Sequence, residues 1–230
     1  MINKTHLTDI FFDLDHTLWD FEVNSFATFN QILSDHNFPF ETATFMKAYS
    51  PINHAFWKLY RENKITTEEL RFVRLQKTFE AIKQPQNTAM INTLSNAYIN
   101  QLSTHTHIFE GTIELLEYLN PNYRLHIITN GFENIQQKKM ANAGLAPYFD
   151  VVLTAEKAGV KKPHPVIFEQ ALSMAHTSAS KSLMIGDSYE ADIAGAIALG
   201  MQAIHFNSHN ESWHNHCPIV ANLAEIQQYL

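Results

Sequence analysis

Cysteine is almost absent from this chain: Cys217 stands alone, so no internal disulfide can form and nothing suggests an oxidising compartment. Long apolar runs are missing too. No stretch approaches the ~18 uninterrupted apolar residues of a membrane span, and no charged segment followed by an apolar run opens the sequence, so the expected home is the cytoplasm, away from membranes. Basic charge is scarce, with 16 Lys and Arg against 23 Asp and Glu and a formal net charge of -7. A nucleic-acid polymer is therefore not the expected partner, since phosphate backbones reward basic stripes. A small anionic ligand would need a local cation supplied by a few specific residues. Repeats, low-complexity tracts and Pro- or Ser-rich linkers are also lacking. Within 230 residues this leaves one large domain, or one domain carrying an insertion.

Present instead are short apolar runs of strand length at Ile10 to Leu14, Leu125 to Thr129, Val151 to Leu153, Leu183 to Ile185 and Ala203 to Phe206. Between the later runs, "FEGTIELLEYL", "NIQQKKMANAGL", "HPVIFEQALSMA" and "YEADIAGAIALG" repeat apolar residues at three- and four-residue spacing, with Gly144 and Gly200 near two of the ends. Strands alternating with helices predict an α/β fold with a doubly wound parallel sheet. About a hundred residues separate the first run from the second, too many for a loop. They hold four amphipathic patterns, "FEVNSFATFNQILSDHNF", "ATFMKAYSPINHAFWKLYREN", "TTEELRFVRLQKTFEAI" and "MINTLSNAYINQL", the third with Thr66 or Thr67 placed as its cap. The expected division is a core of 1–17 with 105–230 and a helical insertion of 18–104.

Ligands of parallel sheets gather at the carboxyl ends of the strands, so the polar residues after each run come first. After the first run stand Asp13, Asp15 and Thr17; after the second, Thr129, Asn130 and Gly131; before a helix-opening proline, Lys161 and Lys162; after the fourth, Asp187 and Asp192. Several carboxylates in one pocket repel one another unless a cation joins them, and an all-oxygen donor set favours Mg²⁺. A lysine and a hydroxyl suit the remaining oxygens of a phosphate. Asp is an established nucleophile toward phosphorus, and a second Asp on the same side of the strand can move the proton.

In order and spacing, "DLDHT", "HIITN", "KKP" and "GDSYEAD" resemble the signature of the haloacid dehalogenase-like hydrolases over nearly the whole chain. The resemblance implies a Rossmann-like core with a helical cap inserted after the first motif. It implies Asp13 as nucleophile, Asp15 as general acid and base, and Thr129, Asn130 and Gly131 as phosphate-binding residues. Lys162 would bridge phosphate and Asp13. Mg²⁺ would be held by Asp187, the Asp13 carboxylate and the Asp15 backbone carbonyl, with Asp192 supporting the metal or the lysine. "DLDHTLWDF", "TNG" and "GDSYEADIAGA" look most like the pyrimidine 5′-nucleotidase branch, so the implied substrate is a small phosphorylated metabolite, a nucleoside 5′-monophosphate. N-acylneuraminate-9-phosphatases and other sugar phosphatases share the same core motifs.

Blander readings compete at several positions. Asp192 is also placed as an acidic first-turn helix residue. His16 reads as a loop-packing residue, and "HFNSHNESWHNHC" as a polar loop after the last strand, its spacing matching no closed zinc pattern. Trp19, Phe21, Phe56 and Trp57 are core or interface aromatics by base rate, one or two of them able to stack on a base. A phosphoacceptor signalling domain needs no large insertion, and its phosphorylated Asp lies on a later strand. A true dehalogenase needs no proton donor at Asp15, because halide leaves carbon unprotonated.

Overall fold

The computed structural model describes residues 2–230. Six parallel strands, β1 (Asp9–Phe12), β2 (Arg124–Thr129), β3 (Val151–Thr154), β4 (Ser182–Gly186), β5 (Gln202–Phe206) and β6 (Ile219–Val220), form one sheet in the order β3-β2-β1-β4-β5-β6. The fold is α/β and doubly wound, as the alternating pattern predicts. β1 sits at the centre because it is buried on both faces. Ile10, Phe11 and Phe12 are all fully buried, and Phe11 joins Ile128, Leu153, Phe168 and Met184 in one cluster on one side of the sheet. Strand order reverses between β1 and β4, and crevices at such switch points are where open α/β sheets bind ligands.

The apolar run predicts a first strand as far as Leu14, but pairing ends at Phe12, followed by a bond from Asp13 N to Ile185 O (2.9 Å). From Leu14 the chain coils into a turn in which Trp19 N donates to Leu14 O and His16 N to Trp19 O, both at 2.9 Å. His16 takes a left-handed conformation there (φ 65°), and its ring lies 4.2 Å from that of His209. Strand β6, two residues long, was not expected. It is too short for any periodicity to reveal, and it converts the stretch after β5 from a tail into a connection.

The chain divides into two compact units, residues 1–20 with 106–230 and residues 21–105. The second contains α1 (Phe21–Asp35), α2 (Thr42–Arg61), α3 (Thr67–Ala81) and α4 (Thr88–Gln101). Thr66 caps α3: its hydroxyl accepts from Glu69 N at 3.1 Å while Glu69 Oε2 accepts from Thr66 N at 2.8 Å, a reciprocal capping box. The four helices close around a cluster of rings, Phe29, Phe45, Tyr49, Phe79 and Tyr98, in which Phe29 stacks on Tyr98 and meets Tyr49 edge-on. Buried Arg74 lies against the faces of Tyr49 and Tyr98 and donates to Asn53 Oδ1 at 2.7 Å.

The first unit surrounds its sheet with α5 (Thr112–Leu119), α6 (Glu133–Asn142), α7 (Ala155–Ala158), α8 (Pro165–Met174) and α9 (Ala194–Ala198), the last preceded by a π-helical turn, Tyr189–Ile193. No helix is long and apolar enough to cross a membrane among the described residues.

Candidate active site

β1 and β4 deliver their carboxylates side by side. Asp13 follows β1 and Asp187 follows β4, and oxygens of Asp13, Asp187 and Asp192 lie within 4.8 Å of one another, all three residues buried. Asp192 reaches this place from the π-helical turn after β4. Glycine at 186 makes that approach possible, because a Cβ there would overlap the Asp192 carboxylate. One oxygen of Asp192 accepts from Ser188 N (3.1 Å) and the other pairs with Lys162 Nζ (2.7 Å), so Asp192 does more than sit near a helix start.

Lys162, 1% exposed, is the cation of this group. Its ammonium donates to Asp13 Oδ1 (2.5 Å) and to the Ile128 carbonyl (2.6 Å) as well as pairing with Asp192. Asn130 fastens the segment in place: its Oδ1 accepts from Lys162 N (2.8 Å) and its Nδ2 donates to Lys162 O (3.1 Å). Of the lysine doublet, therefore, Lys162 is the residue brought to the carboxylates.

Electrostatics follow from this crowding. Burial, together with repulsion from Asp192 and Asp187, pushes the Asp13 carboxyl well above the usual range despite the opposing charge of Lys162. Burial raises Asp187 as well, with Asp192 adding to the rise and His209, 3.2 Å away at Oδ2, opposing it. For Lys162 burial acts downward, yet the two aspartates hold its ammonium above the ordinary lysine range. Three carboxylates with one ammonium leave the group short of positive charge, and a small divalent cation taking oxygen donors fits that deficit.

Asp15 belongs to a different set of contacts. Lying in the turn after β1, it pairs through Oδ1 with Lys139 Nζ and accepts from Gln136 Nε2 at Oδ2 (2.8 Å). The same Gln136 nitrogen donates to Thr129 Oγ1 (2.8 Å), which also accepts from Gly131 N (3.1 Å). Gly131 leaves the room Gln136 needs, since a Cβ at 131 would overlap its amide. Asp13 and Asp15, expected to share one side of a strand, thus have separate basic partners. Thr17 Oγ1 lies 3.4 Å from Asp187 Oδ1, at the edge of hydrogen-bond range.

Sequence reasoning missed Gln136, Lys139 and the histidines behind Asp187. Gln136 and Lys139 looked like ordinary polar positions of a helix. The available signal was spacing: they are three apart, and Lys139 stands four after Ile135, where the buried stripe of α6 calls for an apolar residue. His205, fully buried on β5, donates through Nε2 to the Asp187 carbonyl (2.8 Å) and meets His214 Nε2 (3.0 Å) through Nδ1. Trp19, expected as core or as a base-stacking ring, is fully buried, and Lys139 Nζ lies 4.0 Å from its ring centroid.

The family model of haloacid dehalogenase-like hydrolases matches residues 10–206, and the chain belongs to that family. It is 33% identical over 225 residues to the pyrimidine 5′-nucleotidase YjjG of Escherichia coli, covering 96% of each chain. It is 32% identical to the pyrimidine 5′-nucleotidase PynA of Streptococcus pneumoniae, over 87% of this chain and 84% of that one. Among solved structures, the magnesium-bound HAD-hydrolase YfnB of Bacillus subtilis superposes with a TM-score of 0.86 at 25% identity, covering 97% of this chain and 98% of the other.

Proposed function

We propose that the protein is a Mg²⁺-dependent phosphomonoesterase that works through an aspartyl-phosphate on Asp13 and acts on nucleoside 5′-monophosphates, pyrimidines preferred. The observation that carries the reading is the buried Asp13, tied to Lys162 and crowded by Asp187 and Asp192 at the switch point of the sheet. The two nucleotidase relatives, matched over most of the chain, support the substrate class.

Asp13, Asp187 and the Asp15 backbone carbonyl would hold the cation, with Asp192 contributing chiefly through Lys162. When bound, Mg²⁺ supplies positive charge that offsets the carboxylates and the phosphate oxygens. Lys162 screens the approach of an anionic phosphate to an anionic Asp13, and its bond to the Ile128 carbonyl fixes its direction. A carboxylate oxygen of Asp13 attacks phosphorus as the bond from phosphorus to the ester oxygen breaks, its electron pair leaving with that oxygen. The Asp15 carboxyl gives its proton to the leaving oxygen, releasing the nucleoside. Water then attacks the phosphoryl group of Asp13 and gives a proton to the Asp15 carboxylate. The aspartyl bond breaks, free phosphate departs and the Asp13 carboxylate is restored. Asp15 also argues against carbon–halogen cleavage, which requires no proton for its leaving group.

The test is phosphate release from uridine, deoxyuridine, thymidine and adenosine 5′-monophosphates beside hexose and sialic-acid phosphates, each with Mg²⁺ and with chelator. Highest kcat/KM on a pyrimidine nucleotide, abolished by chelator, is expected. Preference for a sugar phosphate over every nucleotide would refute the nucleotidase assignment and keep the phosphatase, whereas full activity in chelator would refute the metal.

A further inference from the structure

We propose that Lys139 and Gln136 are positioning residues for Asp15: together they fix the plane of its carboxyl group toward the leaving oxygen, with the Trp19 ring as the floor beneath Lys139. The proposal rests on the acid and base role assigned to Asp15 above.

Asp15 lies beyond the regular pairing of β1, so the sheet does not hold its side chain as it holds the base of Asp13. A proton-transfer group on a turn needs its rotamer fixed by neighbours, because small losses of orientation lower the rate steeply. Helix α6 provides the fixing. Lys139 donates to one oxygen and Gln136 to the other, so the carboxyl plane is pinned at both ends. A carboxylate offers about four lone-pair positions. Two are taken, and Asp15 remains partly open, with its side chain 21% exposed against 3% for Lys139. The free positions are available to a leaving oxygen or a water.

Two further contacts set the register of α6. Gln136 holds Asp15 and Thr129 with the same nitrogen, so the acid and the hydroxyl at the end of β2 are placed relative to each other by one side chain. Lys139, 2% exposed, rests over the fully buried Trp19, whose backbone is bridged to Asp15 and to Ile108. A buried ammonium facing an indole and a carboxylate has little freedom to reorient. The site thus uses two lysines with separate duties: Lys162 serves Asp13, and Lys139 serves Asp15.

Leaving-group dependence separates positioning of an acid from general structural support. Expulsion of a nucleoside alkoxide needs a proton, whereas expulsion of 4-nitrophenolate does not. We would measure kcat/KM for uridine 5′-monophosphate and 4-nitrophenyl phosphate in the wild type, Asp15→Asn, Lys139→Met, Lys139→Arg and Gln136→Leu. Circular dichroism would confirm folding. Asp15→Asn should lose about 10²- to 10⁴-fold on the nucleotide and at least tenfold less on the aryl ester. Lys139→Met and Gln136→Leu should reproduce this selectivity with a loss of about tenfold or more on the nucleotide, and Lys139→Arg should recover part of it. Equal losses on both esters would overturn the proposal, since removal of a phosphate contact or general damage to the site affects both. If Lys139→Met does not fold, Gln136→Leu decides by the same comparison. Should Asp15→Asn itself show no leaving-group dependence, the acid role fails; selectivity in Asp15→Asn without selectivity in the α6 variants refutes the positioning role alone.

Discussion

Asp9 opens the central strand and Asp13, four residues on, follows its other end; both are buried, and their carboxyl groups are driven in opposite directions. Burial pushes Asp9 upward, but hydrogen bonds from Thr8, His126 and Arg124 more than offset it and leave the group below the ordinary range. Asp13 is the more heavily desolvated of the two, and it has one strong donor, Lys162, and two neighbouring carboxylates that oppose its ionisation. The amino end of the sheet therefore carries a satisfied charge, the carboxyl end an unsatisfied one. A satisfied buried acid stabilises a fold; an unsatisfied one at a switch point is held in place by the rest of the structure, as the proposed cation and phosphate site requires.

The largest effect should come from replacing the unsatisfied acid. Asp13→Asn removes the proposed nucleophile, and turnover should fall by ~10⁴-fold or more. In chelator its melting temperature should equal or exceed that of the wild type, since an amide still accepts from Lys162 and no longer repels Asp187 and Asp192. Near-normal phosphate release would end the covalent mechanism. A clear drop in melting temperature would end the contrast with Asp9.

Removing the cation comes next. Chelation should silence the enzyme, with Mg²⁺ restoring it and Ca²⁺ doing so poorly, because Ca²⁺ prefers more ligands at longer distances than this small donor set offers. Asp187→Ala should behave in Mg²⁺ as the wild type does in chelator. Mg²⁺ should also raise the melting temperature of the wild type and leave that of Asp187→Ala nearly unchanged, a difference that calorimetry reads without any substrate. Equal stabilisation of both proteins would move the cation elsewhere.

Asp9→Ala should show the reverse profile. It leaves His126 without its acceptor in the core and Arg124 without its partner, a loss of about 3 kcal/mol that corresponds to a fall of roughly 6–12 °C for a chain of this size. kcat/KM at a temperature where the variant is folded should stay within about twofold of wild type, the site being at the other end of the strand. A large catalytic defect in the folded variant would mean that the two ends of β1 are coupled.

Much of the carboxyl end was legible in the sequence because its chemistry occupies fixed offsets from apolar runs. Asp13 follows β1, Thr129 closes β2, Lys162 precedes a proline and Asp187 follows β4, and each offset can be counted without a structure. Asp9 escaped notice because it opens a strand that otherwise reads as apolar, and its partners Arg124 and His126 are more than a hundred residues away, visible only once β1 pairs with β2. Lys139 and Gln136 were hidden for a related reason: their meaning depends on which face of α6 turns toward Asp15. Trp19 reads from sequence as packing or a base platform, and its place beneath Lys139 follows only from the way the turn after β1 folds back on itself. Motif spacing locates the groups proposed to touch the ligand, while the residues that hold those groups are scattered through the chain by tertiary contact.

The smallest effect, and the most direct measure of the contrast, is the pH dependence of stability in chelator. An exposed carboxyl in the unfolded chain titrates near pH ~3.9. Asp9 in the fold lies below that value, so its stabilising contribution is complete above the unfolded pKa and is lost as pH falls through the folded one. The advantage of wild type over Asp9→Asn should therefore shrink below about pH 4, after widening between neutrality and about pH 5 because Asp9 favours protonation of His126 in the fold. Asp13 in the fold lies above the unfolded value, so its contribution is complete below about pH 4 and is lost as pH rises through the folded pKa. Asp13→Asn should accordingly match the wild type in acid and gain on it as the pH climbs toward neutrality. Denaturant titrations of the three proteins at several pH values would give two difference curves, that of Asp9→Asn shrinking at the acid end and that of Asp13→Asn changing above it with the opposite sign. Curves that run parallel would mean that the two aspartates share one electrostatic environment, and that no excess of negative charge is stored at the carboxyl end of β1.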